Sequence, residues 1–198
     1  MRRRAAATTL IAVGGLLCSF AGGRYALGAV AQVEARQAWN AKDANSAAAL
    51  ARLRAHVGDA NPALLKGAPV AHLIIPKIGL DEIVLEGVDD DTMNGGPGHV
   101  PGSPLPGDVG NSVVSAHRDR HFRSLGELAI GDTIRTEAGS TTATWVIASR
   151  RVVDKAAPAL FRSRERRLTL TTCWPIRYLG TAPDRLILTA KLANSKKS

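Results

Sequence analysis

The chain is 198 residues long, 45% hydrophobic and only 4% aromatic, with a formal net charge of +9 at pH 7. That length and apolar content support one well-buried core of ordinary domain size with a segment left over, and the shortage of aromatic rings removes the stacking platforms that single-stranded nucleic acid requires. The basic residues gather at Arg2, Arg3 and Arg4, in the RSRERR run over residues 162–167, and at Lys196 and Lys197, a distribution that suits solvated charge near an anionic membrane surface and no nucleic-acid partner.

The first predicted element is an N-terminal membrane anchor over residues 1–25. Residues 5–23 carry no charge, and at ~1.5 Å per residue they nearly match the hydrocarbon core of a bilayer. Three arginines precede them, which leaves the N-terminus cytoplasmic and sends the remainder across. Arg24 and Tyr25 fall where a snorkelling cation and an interfacial aromatic sit. A cleaved signal peptide is the competing reading, because 19–21 and 29–31 are small-x-small sites and four glycines dilute the apolar stretch. Leu17 excludes lipidation of Cys18.

Residues 26–68 read as a helical stalk or linker. They are Ala-rich with scattered charge; Ser46 is placed to cap a helix ending near Val57, and Gly58 to stop it. Trp39 and His56 are expected to pack or face water.

From residue 69 to 193 the pattern changes to short β-branched or alternating runs at 70–75, 83–88, 112–115, 132–137, 142–149, 167–172 and 185–191, separated by Gly, Pro and Asp. Seven or eight short strands in this span predict an all-β sandwich or closed barrel. The connection over residues 89–110 is too rich in Gly and Pro to hold a helix beyond its first few residues. Loops of that length inside a compact domain are often functional. The three acids Asp89, Asp90 and Asp91 read as a helix N-terminus. Residues 194–198 form a basic tail.

Cys173 is the one cysteine outside the N-terminal apolar segment, and it ends the run TLTTC. A lone thiol in an exported chain, at a strand end, reads as a nucleophile. Cysteine catalysis also needs a group to manage the leaving amine's proton and a donor for the oxyanion. His117 follows a strand and projects from the sheet's rim; His56 lies on the stalk, His72 in an apolar strand, and His99 and His121 in loops. Arg185 begins the last strand, a position ordinarily occupied by a surface charge. One thiol and dispersed histidines give no metal-ligand spacing, the acidic triplet lacks the Gly and distal Glu of a calcium loop, and no cofactor is expected.

TLTTC at 169–173, His117 about fifty-six residues upstream and Arg185 about twelve downstream together resemble the sortases, cysteine transpeptidases of bacterial envelopes. The stretches GPGHVPGSPLPGDVGNSVVSAHRD (96–119), FRSLGELAIGD (122–132) and CWPIRYLGTAPDR (173–185) are similar to the class D group and to the sortases of Gram-negative bacteria. The resemblance covers roughly residues 70–192. It implies an eight-stranded β-barrel with short helices in which Cys173 attacks the carbonyl after Thr of a Leu-Pro-x-Thr-type signal, giving a thioacyl enzyme. In that reading His117 protonates the departing amine and takes a proton from the incoming one. Arg185 holds the oxyanion or substrate backbone, and Thr172 assists through its backbone or hydroxyl. The implied partners are an exported protein bearing a C-terminal sorting signal and an amine acceptor, a cell-envelope component or water. The implied location is the plasma (inner) membrane, with the catalytic domain on its outer, periplasmic face. Two departures stand out: His121 occupies a position expected to be aromatic or small, and Ser115-Ala116 precede His117 where Gly is usual. A hydrolase with the same triad, and a membrane-anchored binding module with an inert Cys173, are the alternatives.

Overall fold

A computed structural model of the chain describes residues 2–41, 65–157 and 162–197; the helix expected over 46–57 lies outside them. Helix α1 (Arg2–Ala41) is followed by strands β1 (Pro69–Ile75) and β2 (Leu80–Glu86), helix α2 (Asp90–Gly95), and strands β3 (Gly98–His99), β4 (Asn111–Ser115), β5 (Thr133–Ala138), β6 (Thr141–Asp154), β7 (Arg167–Trp174) and β8 (Asp184–Lys197). The strands close into a barrel in the order β1-β2-β3-β4-β7-β8-β6-β5. The β2–β3 and β4–β7 neighbours are parallel and the others antiparallel.

Alternation along each strand fills the interior. Leu73 and Ile75 of β1, Val114 of β4, Trp145 and Ile147 of β6, Leu168 and Leu170 of β7, and Leu186 and Leu188 of β8 meet in one buried core with Phe122 and Leu125. Trp145 is fully buried, and its Nε1 donates to Thr136 Oγ1 at 2.8 Å, which satisfies the indole's one donor.

The boundaries differ from the sequence expectations in three instructive ways. Strand β2 begins at Leu80, before the β-branched run, because Leu80 enters the core while Asp81 and Glu82 serve the barrel's outside. The two-residue β3 sits inside the Gly/Pro-rich connection. Strand β8 continues through the expected basic tail: Ser195, Lys196 and Lys197 pair with Ala143, Thr142 and Thr141 of β6.

Helix α1 is continuous across the boundary expected near residue 25. No helix among the described residues has a stretch long and apolar enough to cross a membrane. The second half of α1 docks on β2. Because β3 is so short, it covers only part of that strand's edge, accepting from Leu85 N–H at Pro97 and from Gly87 N–H at His99. The helix supplies the rest. Gln32 accepts from Ile83 N–H and donates to Ile83 O, both at 3.0 Å, and Arg36 donates to Asp81 O at 2.7 Å. The spacing suits this, since four helical residues advance ~6 Å and two strand residues ~6.6 Å. Ala35 and Trp39 pack on Ile83 and Leu85 beside these bonds. Gly28 lets α1 approach α2 closely: a Cβ there would stand 2.6 Å from the Asn94 carbonyl oxygen.

The acidic triplet does open helix α2. Asp89 is its N-cap, accepting from Thr92 N–H and the Thr92 hydroxyl. Partial burial raises the Asp89 pKa, but the bonds from Lys66 and Thr92 outweigh it and lower the carboxyl to about 2. The long connection that follows is held from within. His99, fully buried, sets Nδ1 2.6 Å from Glu86 Oε2 and Nε2 3.0 Å from the Pro104 carbonyl. A carbonyl only accepts, so Nε2 carries a proton. The Ser103 hydroxyl donates to Val100 O and accepts from Val113 N–H, tying the loop to β4.

Candidate active site

Strand β7 places Leu168 and Leu170 in the core, so Thr169, Thr171 and Cys173 face outward. Cys173, exposed at the strand's penultimate position, is paired with Arg185 of β8. Directly opposed residues of an antiparallel pair carry their Cβ atoms about 5 Å apart on one face, so thiol and guanidinium share a surface. Their sequence separation is simply that of a strand, a connecting loop and a strand start.

His117 arrives from the other side. Strand β4 runs parallel to β7 with Ser115 beside Thr171, and two further residues on each chain bring His117 level with Cys173. The ladder is prolonged past β4 by Ala116 N–H donating to Thr171 O at 3.3 Å and by the Thr172 hydroxyl donating to Ala116 O at 2.7 Å. A turn then locks the His117 backbone, whose carbonyl accepts from Arg120 and Phe122 N–H. Phe122 is buried in the core and anchors that turn. The His117 ring is half-buried, with Nε2 3.8 Å from the exposed Asp90 carboxylate at the start of α2.

Thr172 is buried and its side chain faces away from Cys173. Its one hydroxyl proton is given to Ala116 O, which leaves the hydroxyl a tie between β7 and the segment that follows β4. His121, unexpected by its size, is a brace: Nδ1 lies 2.6 Å from Glu82 Oε2 on β2. His72 is similarly occupied, with Nε2 2.7 Å from Asp81 Oδ1.

The structure adds a residue that sequence reasoning passed over. Arg118, next to His117, donates to the carbonyls of Pro175 at 3.0 Å, Tyr178 at 3.0 Å and Gly180 at 2.7 Å, and its guanidinium stands 5.8 Å from the Tyr178 ring centroid. One side chain thus binds the histidine's turn to the loop that follows Cys173. Only adjacency to the histidine signals this in the sequence, where a basic residue reads as solvated. Trp174 is half-buried against the core beside Gly126, with Arg150 over its ring at 5.3 Å.

Among the described residues no three His, Cys, Asp or Glu side chains gather as a metal site. A cleft of about 610 Å³ between α1, β2 and the Arg120–Ser124 turn does not include Cys173, His117 or Arg185.

A thiol, an imidazole and a guanidinium thus stand near one rim of an eight-stranded barrel, and comparison with known proteins gives the family. The sortase domain model matches residues 73–193, more than half of the sequence. The chain belongs to the sortase family. Its members are cysteine transpeptidases. Sortase D of Bacillus subtilis (strain 168) is 38% identical over 121 residues, which are 60% of this sortase and 61% of that protein; the alignment spans about three fifths of the relative's length. The catalytic domain of Bacillus anthracis SrtD is 35% identical, with a TM-score of 0.58 over 72% of this chain and 99% of that one. The Clostridium perfringens sortase D5 transpeptidase shares the fold at 22% identity, with a TM-score of 0.70 over 83% of this sortase and 99% of its own chain. Class D relatives therefore stand among its neighbours, as the motifs suggested.

Proposed function

We propose that this sortase cleaves a Leu-Pro-x-Thr-type sorting signal of an exported protein and transfers the acyl part to an amine. The observation that supports it most is the convergence of Cys173, His117 and Arg185 from β7, the end of β4 and β8. The Cys173 Sγ attacks the threonine carbonyl and forms a thioester as the C–N bond breaks. His117 gives a proton to the departing amine and takes one from the incoming amine, which restores the thiol. Arg185 donates to the oxyanion between these steps. Thr172 serves by holding His117 level with the thiol, and Arg118 by fixing the loop beyond it.

The chain is held at the plasma membrane by residues 1–25, N-terminus cytoplasmic, with the barrel on the outer, periplasmic face. The arginines at 2–4 and the uncharged residues 5–23 support this orientation.

The test is mass spectrometry of the full chain incubated with sorting-signal peptides and a glycine-based amine. A thioacyl adduct is expected on wild type and none on Cys173→Ala, whereas Cys18→Ala retains it. Cleavage of the peptide by Cys173→Ala would sink the mechanism. Peptide cleavage in which the amine never enters product would make the protein a hydrolase.

A further inference from the structure

Helix α2 and the turn that carries His117 are fastened to each other. Arg120 Nη1 donates to the Asn94 carbonyl at 3.2 Å, and His121 Nε2 lies 3.5 Å from the same oxygen. Arg120 and Phe122 N–H also bond the His117 carbonyl, so the histidine's backbone belongs to the same unit. The other end of α2 is set by its cap, Asp89, which accepts twice from Thr92. The first residue inside that cap is Asp90. Its Oδ1 stands 3.8 Å from His117 Nε2, the one carboxylate paired with this ring among the described residues.

The contact distinguishes the two ring nitrogens. Nε2 meets a carboxylate, whereas Nδ1 has no hydrogen-bond partner among the described residues. A carboxylate attracts an N–H and repels a lone pair, so it favours the proton on Nε2 and leaves Nδ1 as the nitrogen that changes state. Neighbouring charges are engaged elsewhere. The Arg118 guanidinium is taken up by the carbonyls of Pro175, Tyr178 and Gly180, and Asp89 by Lys66 and Thr92.

We propose that Asp90 is a positioning residue for His117, holding a proton on Nε2 and leaving Nδ1 to serve the reaction. The inference rests on the transpeptidase reading above. In that reading Nδ1 gives its proton to the departing amine as the C–N bond breaks and takes one from the incoming amine, while the Nε2 proton stays in place. Exposure sets the size of the effect. The Asp90 side chain is 86% exposed, and 3.8 Å is too long for a direct hydrogen bond. The pair is therefore screened, and exposed pairs of this kind change an equilibrium by about two- to five-fold.

The experiment compares wild type, Asp90→Asn, Asp90→Glu and Asp91→Asn as full chains in detergent micelles, by steady-state transpeptidation and by nitrogen NMR of isotope-labelled histidine rings. Asp90→Asn is expected to lower kcat about three-fold with KM unchanged, the difference from wild type closing as sodium chloride rises. Asp90→Glu keeps the charge and should recover most of the loss. Asp91 is exposed on the same helix end, so Asp91→Asn removes an equal charge without this contact and should turn over as wild type does. In the neutral His117 ring the proton should reside on Nε2 in wild type and shift in part to Nδ1 in Asp90→Asn, a change that lost stability does not produce. Wild-type kcat in Asp90→Asn, an equal loss in Asp91→Asn, or a wild-type ring protonated on Nδ1 overturns the proposal. If wild type forms no thioester with any sorting peptide, the transpeptidase reading has failed, and the ring spectra of Cys173→Ala with and without Asp90→Asn decide the contact alone. A shift of the proton between nitrogens supports the positioning role, and identical spectra reject it.

Discussion

Arg118 has no part in the proposed bond making, yet its three carbonyl contacts span the gap between the His117 turn and the loop that follows Cys173. Arg118→Ala should lower kcat at least ten-fold while changing the melting temperature little, because the barrel core does not touch it. Arg118→Lys should recover little, since a point charge cannot serve three acceptors in a fork. Steady-state kinetics beside thermal melts separates this positioning role from general destabilisation. Arg185→Lys should likewise lose most activity, through the oxyanion instead of the loop. At His99 the expectation is reversed. His99→Ala leaves the Glu86 carboxylate in the core without its partner, which costs about 3 kcal/mol or more. A fall in melting temperature of roughly 6–12 °C follows for a chain of this size, and an unchanged melt would show the pair to be dispensable.

At the scale of elements, α1 completes the barrel edge that β3 leaves open. Gln32→Ala strips the Ile83 N–H and carbonyl of their partners and should destabilise the fold by about 1–3 kcal/mol. Removing residues 1–41 frees the part of the edge that β3 leaves open, and the shortened protein should self-associate in a concentration-dependent way, visible by light scattering. None of this was legible in the chain's pattern. A glutamine and an arginine four apart on an Ala-rich helix look like solvent-facing residues, and only the shortness of β3 gives them work. By contrast, the β-branched runs and their Gly and Pro boundaries located most of the strands, because sterics and turn chemistry act locally. The closeness of Cys173 and Arg185 was readable for a related reason: each stands near a strand terminus, and antiparallel pairing of β7 with β8 converts their spacing into proximity. Arg118 was hidden, since its partners are backbone carbonyls.

Across the whole molecule, acidic groups hold separate elements together at points where the chain is otherwise basic. Hydrogen bonds from His72, then Arg36, lower the Asp81 pKa and so fasten α1 and β1 to the start of β2. The Lys77 ammonium and the Ala129 N–H lower that of Asp132 and link the turn after β1 to the entry of β5. Asp89, at about 2, caps α2 beside His117. Each carboxyl titrates lower in the folded chain than its unfolded value near ~3.9. Each therefore contributes stability that is fully present above about pH 4–5 and is lost as pH falls through the folded pKa. Protonation also removes negative charge from a protein already at +9, and the growing repulsion acts in the same direction. Melting temperature should thus hold steady from pH 7 to 5 with respect to these three groups and decline from about pH 4 toward 2. Asp81→Asn should melt lower than wild type at pH 7 and lose less on acidification, because the group that titrates is gone. Thermal melts of wild type, Asp81→Asn and Asp132→Asn across that range check the assignment: parallel curves, with the same acid decline in every variant, would mean that the ion pairs seen at β2 and β5 do not carry the acid sensitivity.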